Sequence, residues 1–439
     1  MRGVTMWLVF ASLAVAQDRL PLSLRKSVEI ALAPDGNTRV AIAREQIAAA
    51  EARRQQARSA LLPNIDGQIS YQDVTRNLRA FGIQFPALPV PGFSFPTFVG
   101  PFGIFDARVS ATQNLLDVSS WKRFEAAKSA ITAAKLEESA VRTQVTDNVA
   151  RAYLAALRTE ARLEAAQANV KLAEALRELA DSQRKAGTGT GIEVVRGDVQ
   201  LANERQRLQM AENDRNRAHL QLMRAMDLKL DTKLELTDNL AYGPVEPMSI
   251  DQAIDQALKA RPDWQVQQQR ERIARLNQSA IDWERAPSVA AFGDYGAIGT
   301  EIGNSRATRA VGISLRIPIF SGGRREARSA ESRVLVRTEA LRTRDLRQQM
   351  ELELRLAFES LTSADLQVKT AEEGLQLAQR ELEQAQRRYK SGLTSSLEVT
   401  DAQTRLIRAQ DNRIAALFQH NLARIELGTA VGAVERYLP

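Results

Sequence analysis

From Met350 to Tyr389, apolar and small residues recur at intervals of four and three without a break. The run is Met350, Leu354, Ala357, Leu361, Ala364, Val368, Ala371, Leu375, Ala378, Leu382, Ala385 and Tyr389. A strict seven-residue repeat marks one seam along a single helix, and its average period of 3.5 winds that helix left-handedly around its neighbours. Alanine takes one knob of each heptad from 357 to 385, which lets neighbouring helices approach closely. At ~1.5 Å per residue, a helix over 324–390 is about 100 Å long. No single globular core needs such a length; a fibrous coiled coil or a long helical tube does. The same seam occurs 205 residues earlier in Val145, Val149, Ala152, Ala156, Leu163, Ala166, Val170 and Ala173.

The long helix follows directly on a different period. In RAVGISLRIPIFSGGRR (309–325), Val311, Ile313, Leu315, Ile317 and Ile319 alternate with Gly312, Ser314, Arg316 and Pro318. That alternation predicts a half-buried strand. Pro318 removes a ladder donor and belongs near the strand's end, and Gly322 and Gly323 let the backbone turn into the helix without a Cβ clash. The junction RVSATQNLLDVSSWKRF (108–124) aligns with it at an offset of 204. Three further matches share the order: LSLRKSVEIAL (22–32) with MSIDQAIDQAL (248–258), RSALLPNIDGQISY (58–71) with DWERAPSVAAFGDY (282–295), and RKAGTGTGIEVV (184–195) with YKSGLTSSLEVT (389–400). Agreement in the order of unlike elements argues for an internal duplication.

The expected layout is a first repeat over 17–240, a linker over 241–248, a second repeat over 249–432 and a tail over 433–439. The first repeat holds strands at about 64–74 and 105–117, a long helix at about 119–185 and a helix at about 190–227. The second holds a helix at about 263–285, strands at about 288–299 and 308–320, a long helix at about 324–390 and a helix at about 396–428. Each strand has the length of a tilted transmembrane strand. Four strands close no membrane barrel, and an open edge cannot face lipid. If the strands span a bilayer, several chains contribute to one barrel; a small soluble sheet packed on a helix is the plainer alternative.

Residues 1–16 read as a signal peptide: Arg2, an apolar core from Met6 to Leu13, then Ala14-Val15-Ala16. The chain has no cysteine, which suits an oxidising compartment. No run of 18 apolar residues occurs, so any membrane span is built from strands. The net charge of +7 comes from 60 basic and 53 acidic residues, interleaved along the chain. With no basic stripe or tail, no nucleic-acid partner is expected.

Two tandem halves, Pro-x-x-Ser-Gly-Gly closing a strand, the seamed helix and the YKSGLTSSLEV turn together resemble the TolC family of outer-membrane efflux channels, over essentially the whole mature chain. The resemblance implies a mixed α+β membrane protein in which a long, coiled-coil-like α-helical barrel continues a transmembrane β-barrel. Trimerisation completes that barrel, with four strands per chain. It also implies a homotrimer in outer membrane lipid whose helices cross the periplasm. Its partners would be a periplasmic adaptor (membrane fusion) protein and an inner-membrane pump, in a tripartite efflux or type I secretion system. The rival reading is a non-conducting coiled-coil or adhesin-like surface protein. The first junction departs from the pattern, with Asn114 in place of the proline and Ser119-Ser120 near the Gly-Gly position.

No enzyme is expected, nor any cofactor or metal. The two histidines, His219 and His420, stand alone on helices as surface or seam residues, and no glycine-rich phosphate loop follows a strand. Glu398 and Asp401 share one face at the start of the last long helix. Ser395-x-x-Glu398 and Thr190-x-x-Glu193 read as capping boxes. The resemblance adds a periplasmic gate at Glu398, Asp401 and Glu193, where three chains would gather carboxylates around one axis. The family often carries a basic residue in the turn before the gate; here Thr394 stands there. Gly187, Tyr389, Gly392 and Leu393 match the turns that the family offers to the adaptor, or are plain helix-turn-helix chemistry. The stretch 81–105 holds more than half of the 13 phenylalanines, and is either a flexible Pro-rich loop or else an ordered extracellular lid or a contact with outer-leaflet lipid. Trp121 and Trp283 flank the strands where interfacial aromatics belong.

Overall fold

The computed structural model describes residues 20–34, 36–82 and 97–438. The signal-peptide expectation at 1–16 and residues 83–96 of the aromatic stretch lie outside them. The chain divides into two compact units, residues 1–44, 136–265 and 345–439 in one and 45–135 with 266–344 in the other. No helix among the described residues is long and apolar enough to cross a membrane.

The smaller unit is built on a four-stranded antiparallel sheet in the order β2-β3-β5-β6, formed by β2 (Asn64–Asn77), β3 (Phe98–Leu116), β5 (Ser288–Gly299) and β6 (Arg306–Arg316). Register sets its faces, because residues paired across strands project to the same side. Ile69 pairs with Ala107, Val109 with Tyr295, and Gly293 with Val311. That face also carries Ile65, Tyr71, Ile313 and Leu315, and its large side chains are exposed. The opposite face carries Asp66, Gln68 and Ser70 of β2, Asp106, Arg108 and Ser110 of β3, and Arg306, Thr308 and Ser314 of β6, with Phe292 and Ile298 as large apolar exceptions and an apolar end at Val74, Phe102 and Ile104. β2 and β6 are edges with unpaired backbone.

Two strand ends differ from expectation. β3 begins at Phe98 rather than near 105, because β2 runs on to Asn77 and pairs with it. Part of the aromatic stretch is therefore strand, beyond a register shift at Val74/Arg76. β6 stops at Arg316, the partner of Ser288, because β5 begins there and leaves no ladder for 317–320. The alternation of Ile317 and Ile319 thus runs past the pairing, and Pro318 lies just outside the strand. Gly322 and Gly323 follow at φ 63° and 77°, and α7 (Arg324–Lys390) starts on the next residue. At the first junction a β-bulge at Asn114/Leu116 takes the place of proline and glycine. Asp117 then accepts the Ser120 N–H at 3.2 Å to start α3 (Val118–Lys185).

In the larger unit the seam of α7 is the packed stripe. Met350, Leu354, Ala357, Leu361, Ala364, Val368, Ala378, Leu382, Ala385 and Tyr389 are buried, and Ala371 and Leu375 are half-buried. They pack against α8 (Ser396–Val431) and, toward 350, against α5 (Ile250–Ala260). On α3, Val145, Val149, Ala156, Val170 and Ala173 are buried in the same way. One pairing has no counterpart in the sequence reading. β1 (Leu20–Leu22) runs parallel to β4 (Leu234–Leu236), placing Leu22 and Leu234 in a core with Val149, Tyr153, Leu222 and Met226. Tyr153 closes it, its hydroxyl 2.8 Å from the Leu22 carbonyl and 3.0 Å from Asp238.

Both histidines lie in this interior, on the seam side of their helices. His219, on α4 (Gly191–Ala225), approaches Glu160 of α3 at 3.0 Å, and fully buried His420 approaches Asp365 of α7 at 2.9 Å. Glu160 and Asp365 are equivalent at the 205-residue offset and each faces one histidine; an arginine lies near each imidazole, Arg215 by His219 and Arg424 by His420, and Arg215 also pairs with Glu160 at 3.0 Å. Burial pushes both imidazoles below the ordinary value, an effect the arginines reinforce and the carboxylates oppose.

Candidate functional site

Helix α3 turns into α4, and α7 into α8, through five-residue turns of the same design. Gly187 and Gly392 adopt φ 76° and 70°, and a Cβ built on either meets nothing within 4 Å. Handedness, not space, therefore selects glycine there. The Gly392 N–H donates to the Tyr389 carbonyl at 3.0 Å and the Leu393 N–H to the Arg388 carbonyl at 2.9 Å, satisfying the last turn of α7. Leu393 is exposed. The Tyr389 ring is buried among Ala385, Val399, Ala402 and Leu406, so it supports the turn from behind and offers no surface.

The acidic residues divide in a way spacing could not show. Glu193 caps: its Oε2 accepts the Thr190 N–H at 3.2 Å, and its Oε1 accepts the Ser396 N–H of the other hairpin at 3.5 Å. Glu398 does not cap its helix, and Ser395 makes no side-chain cap bond. Its carboxylate is taken by the Thr394 hydroxyl and by Arg388 Nε at 3.3 Å, so Thr394 and Arg388 together supply the tie at this turn. Asp401, one turn further on, pairs with Arg405 at 2.9 Å, and the same guanidinium reaches Glu381 of α7 at 2.9 Å. Glu398 and Asp401 are thus both charge-paired within the chain. Between the hairpins, Glu193, Tyr389, Ser396 and Gln403 line a cavity of about 30 Å³. The Tyr389 hydroxyl, the Ser396 hydroxyl and both ends of the Gln403 amide are buried there without a protein partner among the described residues. Burial, with Glu193 nearby, pushes the Tyr389 hydroxyl up. Arg405 could have been found from its i+4 spacing to Asp401. Arg388 lies ten residues before Glu398 across a turn, where period carries no signal.

No group of His, Cys, Asp and Glu able to hold a metal occurs among the described residues. The sheet leads into the seamed helices through one residue after β3 and through 317–323 after β6, and those helices end in charge-tied turns. The sequence profile of outer membrane efflux proteins matches residues 30–227 and again 253–433, once in each half. The pyoverdine export outer membrane protein OpmQ of Pseudomonas putida is 24% identical over 344 residues, 75% of this chain and 70% of that one. The outer-membrane channel OprN superposes with a TM-score of 0.79 at 18% identity, over 95% of this chain and 91% of its own. The CmeC outer membrane channel of Campylobacter jejuni gives 0.77 at 18%, over 94% and 86%.

The chain belongs to the outer membrane efflux protein family. It is an outer membrane efflux protein, not an enzyme. The non-conducting coiled-coil rival falls with that assignment.

Proposed function

We propose that three copies close one β-barrel and that their helices continue it as a tube, giving a passive conduit for exported solutes. The observation that carries this reading is the sheet: four strands, two unpaired edges and one exposed apolar face. Such a sheet is unstable in lipid alone, since unpaired edge groups cost several kcal/mol each in hydrocarbon. Joining β6 of one chain to β2 of the next satisfies both edges and turns the apolar faces outward to lipid. Pro318, Gly322 and Gly323 then mark where barrel wall passes into helix wall.

The conduit works with an inner-membrane pump and a periplasmic adaptor, in a tripartite efflux or type I secretion system. Gly187, Gly392 and Leu393 meet the adaptor, with Tyr389 bracing the turn. Glu398, Asp401 and Glu193 form the gate at the helix tips. Arg388 and Arg405 hold the gate carboxylates in the resting state, and partners that splay the tips break those ties. The purified protein in detergent should sediment as a trimer and give single-channel currents in planar bilayers. A monomer retaining its full β-signal, or a trimer that conducts nothing after the tips are opened by substitution, would overturn the proposal.

A further inference from the structure

The polar face of the four-stranded sheet carries one built feature that the channel reading does not use. Arg108 of β3 pairs in register with Gly296 of β5, and Asp106 and Asp294 lie on the same face. Arg108 Nε donates to both Asp106 oxygens at 2.9 Å, its Nη2 lies 2.7 Å from Asp106 Oδ2, and its Nη1 donates to Asp294 Oδ1 at 3.0 Å. Holding both carboxylates requires the side chain to run along the wall. At Gly296 the strands approach closely beneath it: a Cβ there would stand 2.4 Å from Arg108 Cβ and 2.5 Å from the Ala107 carbonyl oxygen. Gly296 is the one buried position among the described residues of β2, β3, β5 and β6.

Freed of its partners, a long cationic side chain on this face would extend into water. We propose that Arg108 is a specificity-determining residue of the barrel interior, stowed over Gly296 by Asp106 and Asp294 so that solutes passing this height meet negative charge. One guanidinium against two carboxylates leaves the cluster with one net negative charge per chain, while Asp66 and Arg306, also on this face, are of opposite sign and unchanged in the variants below. Releasing the arginine would put a cation into the lumen and reverse the preference from cationic toward anionic solutes. The inference rests on the reading that the polar face lines a water-filled barrel.

The absence of native cysteine supplies the test. Thr308→Cys, on β6 opposite Gly296, places a single exposed thiol next to the cluster, and Ile69→Cys places one on the apolar face. The readout is the rate of modification by a cationic and an anionic methanethiosulfonate of similar size, in the full-length protein in lipid vesicles. Asp106→Asn with Asp294→Asn should shift the ratio of rates at position 308 toward the anionic reagent by about fivefold or more. The shift should shrink at high salt, and adding Arg108→Gln, which takes the cluster from one net positive charge to none, should bring the ratio about halfway back toward the parent. An unchanged ratio would reduce Arg108 to a register-holding pair and overturn the proposal. If the double variant does not fold, Asp294→Asn alone should move the ratio the same way by less; no movement there overturns it equally. Modification at 308 no faster than at 69 would defeat the lumen reading itself, and this inference with it.

Discussion

Arg388→Gln removes the guanidinium from Glu398 and leaves the turn, the glycine and the Thr394 hydroxyl in place. The pair spans 3.3 Å, and its side chains are 57% and 41% exposed, so it belongs with surface ion pairs. Such a pair contributes about 0.2–1 kcal/mol. If three tips open together the contributions add, to about 0.6–3 kcal/mol, or roughly 3-fold to 150-fold in the ratio of open to closed. The assay is open probability in planar bilayers, at low salt and at about 1 M, where the Debye length falls to ~3 Å. The variant should open more often at low salt and converge on the parent at high salt. Arg355→Gln is the matched control, because its 2.7 Å pair with Glu351 lies within one helix and crosses no turn. Equal open probability at low salt, or an equal effect of Arg355→Gln, would refute the tie.

Three further outcomes follow from the same geometry. Leu354→Ala, at 1% exposure in the α7 seam, should cost about 2–5 kcal/mol, while Glu372→Ala on the same helix should lie within about 0.5 kcal/mol of the parent; thermal unfolding followed by circular dichroism separates the two. His420 and His219 titrate below the ordinary 6.5 in the folded chain, so the unfolded chain binds more protons across that window. Stability should hold above about pH 6.5 and fall as pH drops through the window, and His219→Gln with His420→Gln should flatten the melting temperature between pH 7.5 and 5.5. Asp401→Asn frees Arg405 for Glu381 alone and removes one gate charge per chain, so cation selectivity in bilayers should weaken while the melting temperature moves little.

What could be read from the sequence followed the reach of local period. The α7 seam and the Gly187 and Gly392 turns were legible because each rests on neighbours within one or two turns of chain. The ends of β3 and β6 were not, since a strand stops where its partner stops, and that is a fact about another segment. The parallel pair of Leu20–Leu22 with Leu234–Leu236 is too short to show a period and joins residues 214 apart. Glu398 was the instructive case. Its spacing from Ser395 fits a capping box, but the carboxylate had an alternative in Thr394 and Arg388, and a charged donor competes well with a backbone N–H. Glu193, with no such arginine paired to it, caps as its spacing suggests.

The hydrogen bonds that join one hairpin tip to the other sit at the outer limit of hydrogen bonding: Gln183 Nε2 to the Tyr389 carbonyl at 3.4 Å, and the Ser396 N–H to Glu193 at 3.5 Å. Within each hairpin the ties are shorter and the seam is packed, as at Val399, Ala402 and Leu406 against Tyr389. The tip thus has a perforation line. A pull on the turns would meet these stretched bonds between the hairpins first, and the Arg388–Glu398 and Arg405–Glu381 ties within the α7–α8 hairpin after them. What would have to re-form afterwards is two weak hydrogen bonds and the apolar contact of Leu172, Leu176 and Leu179 with the α7–α8 cluster.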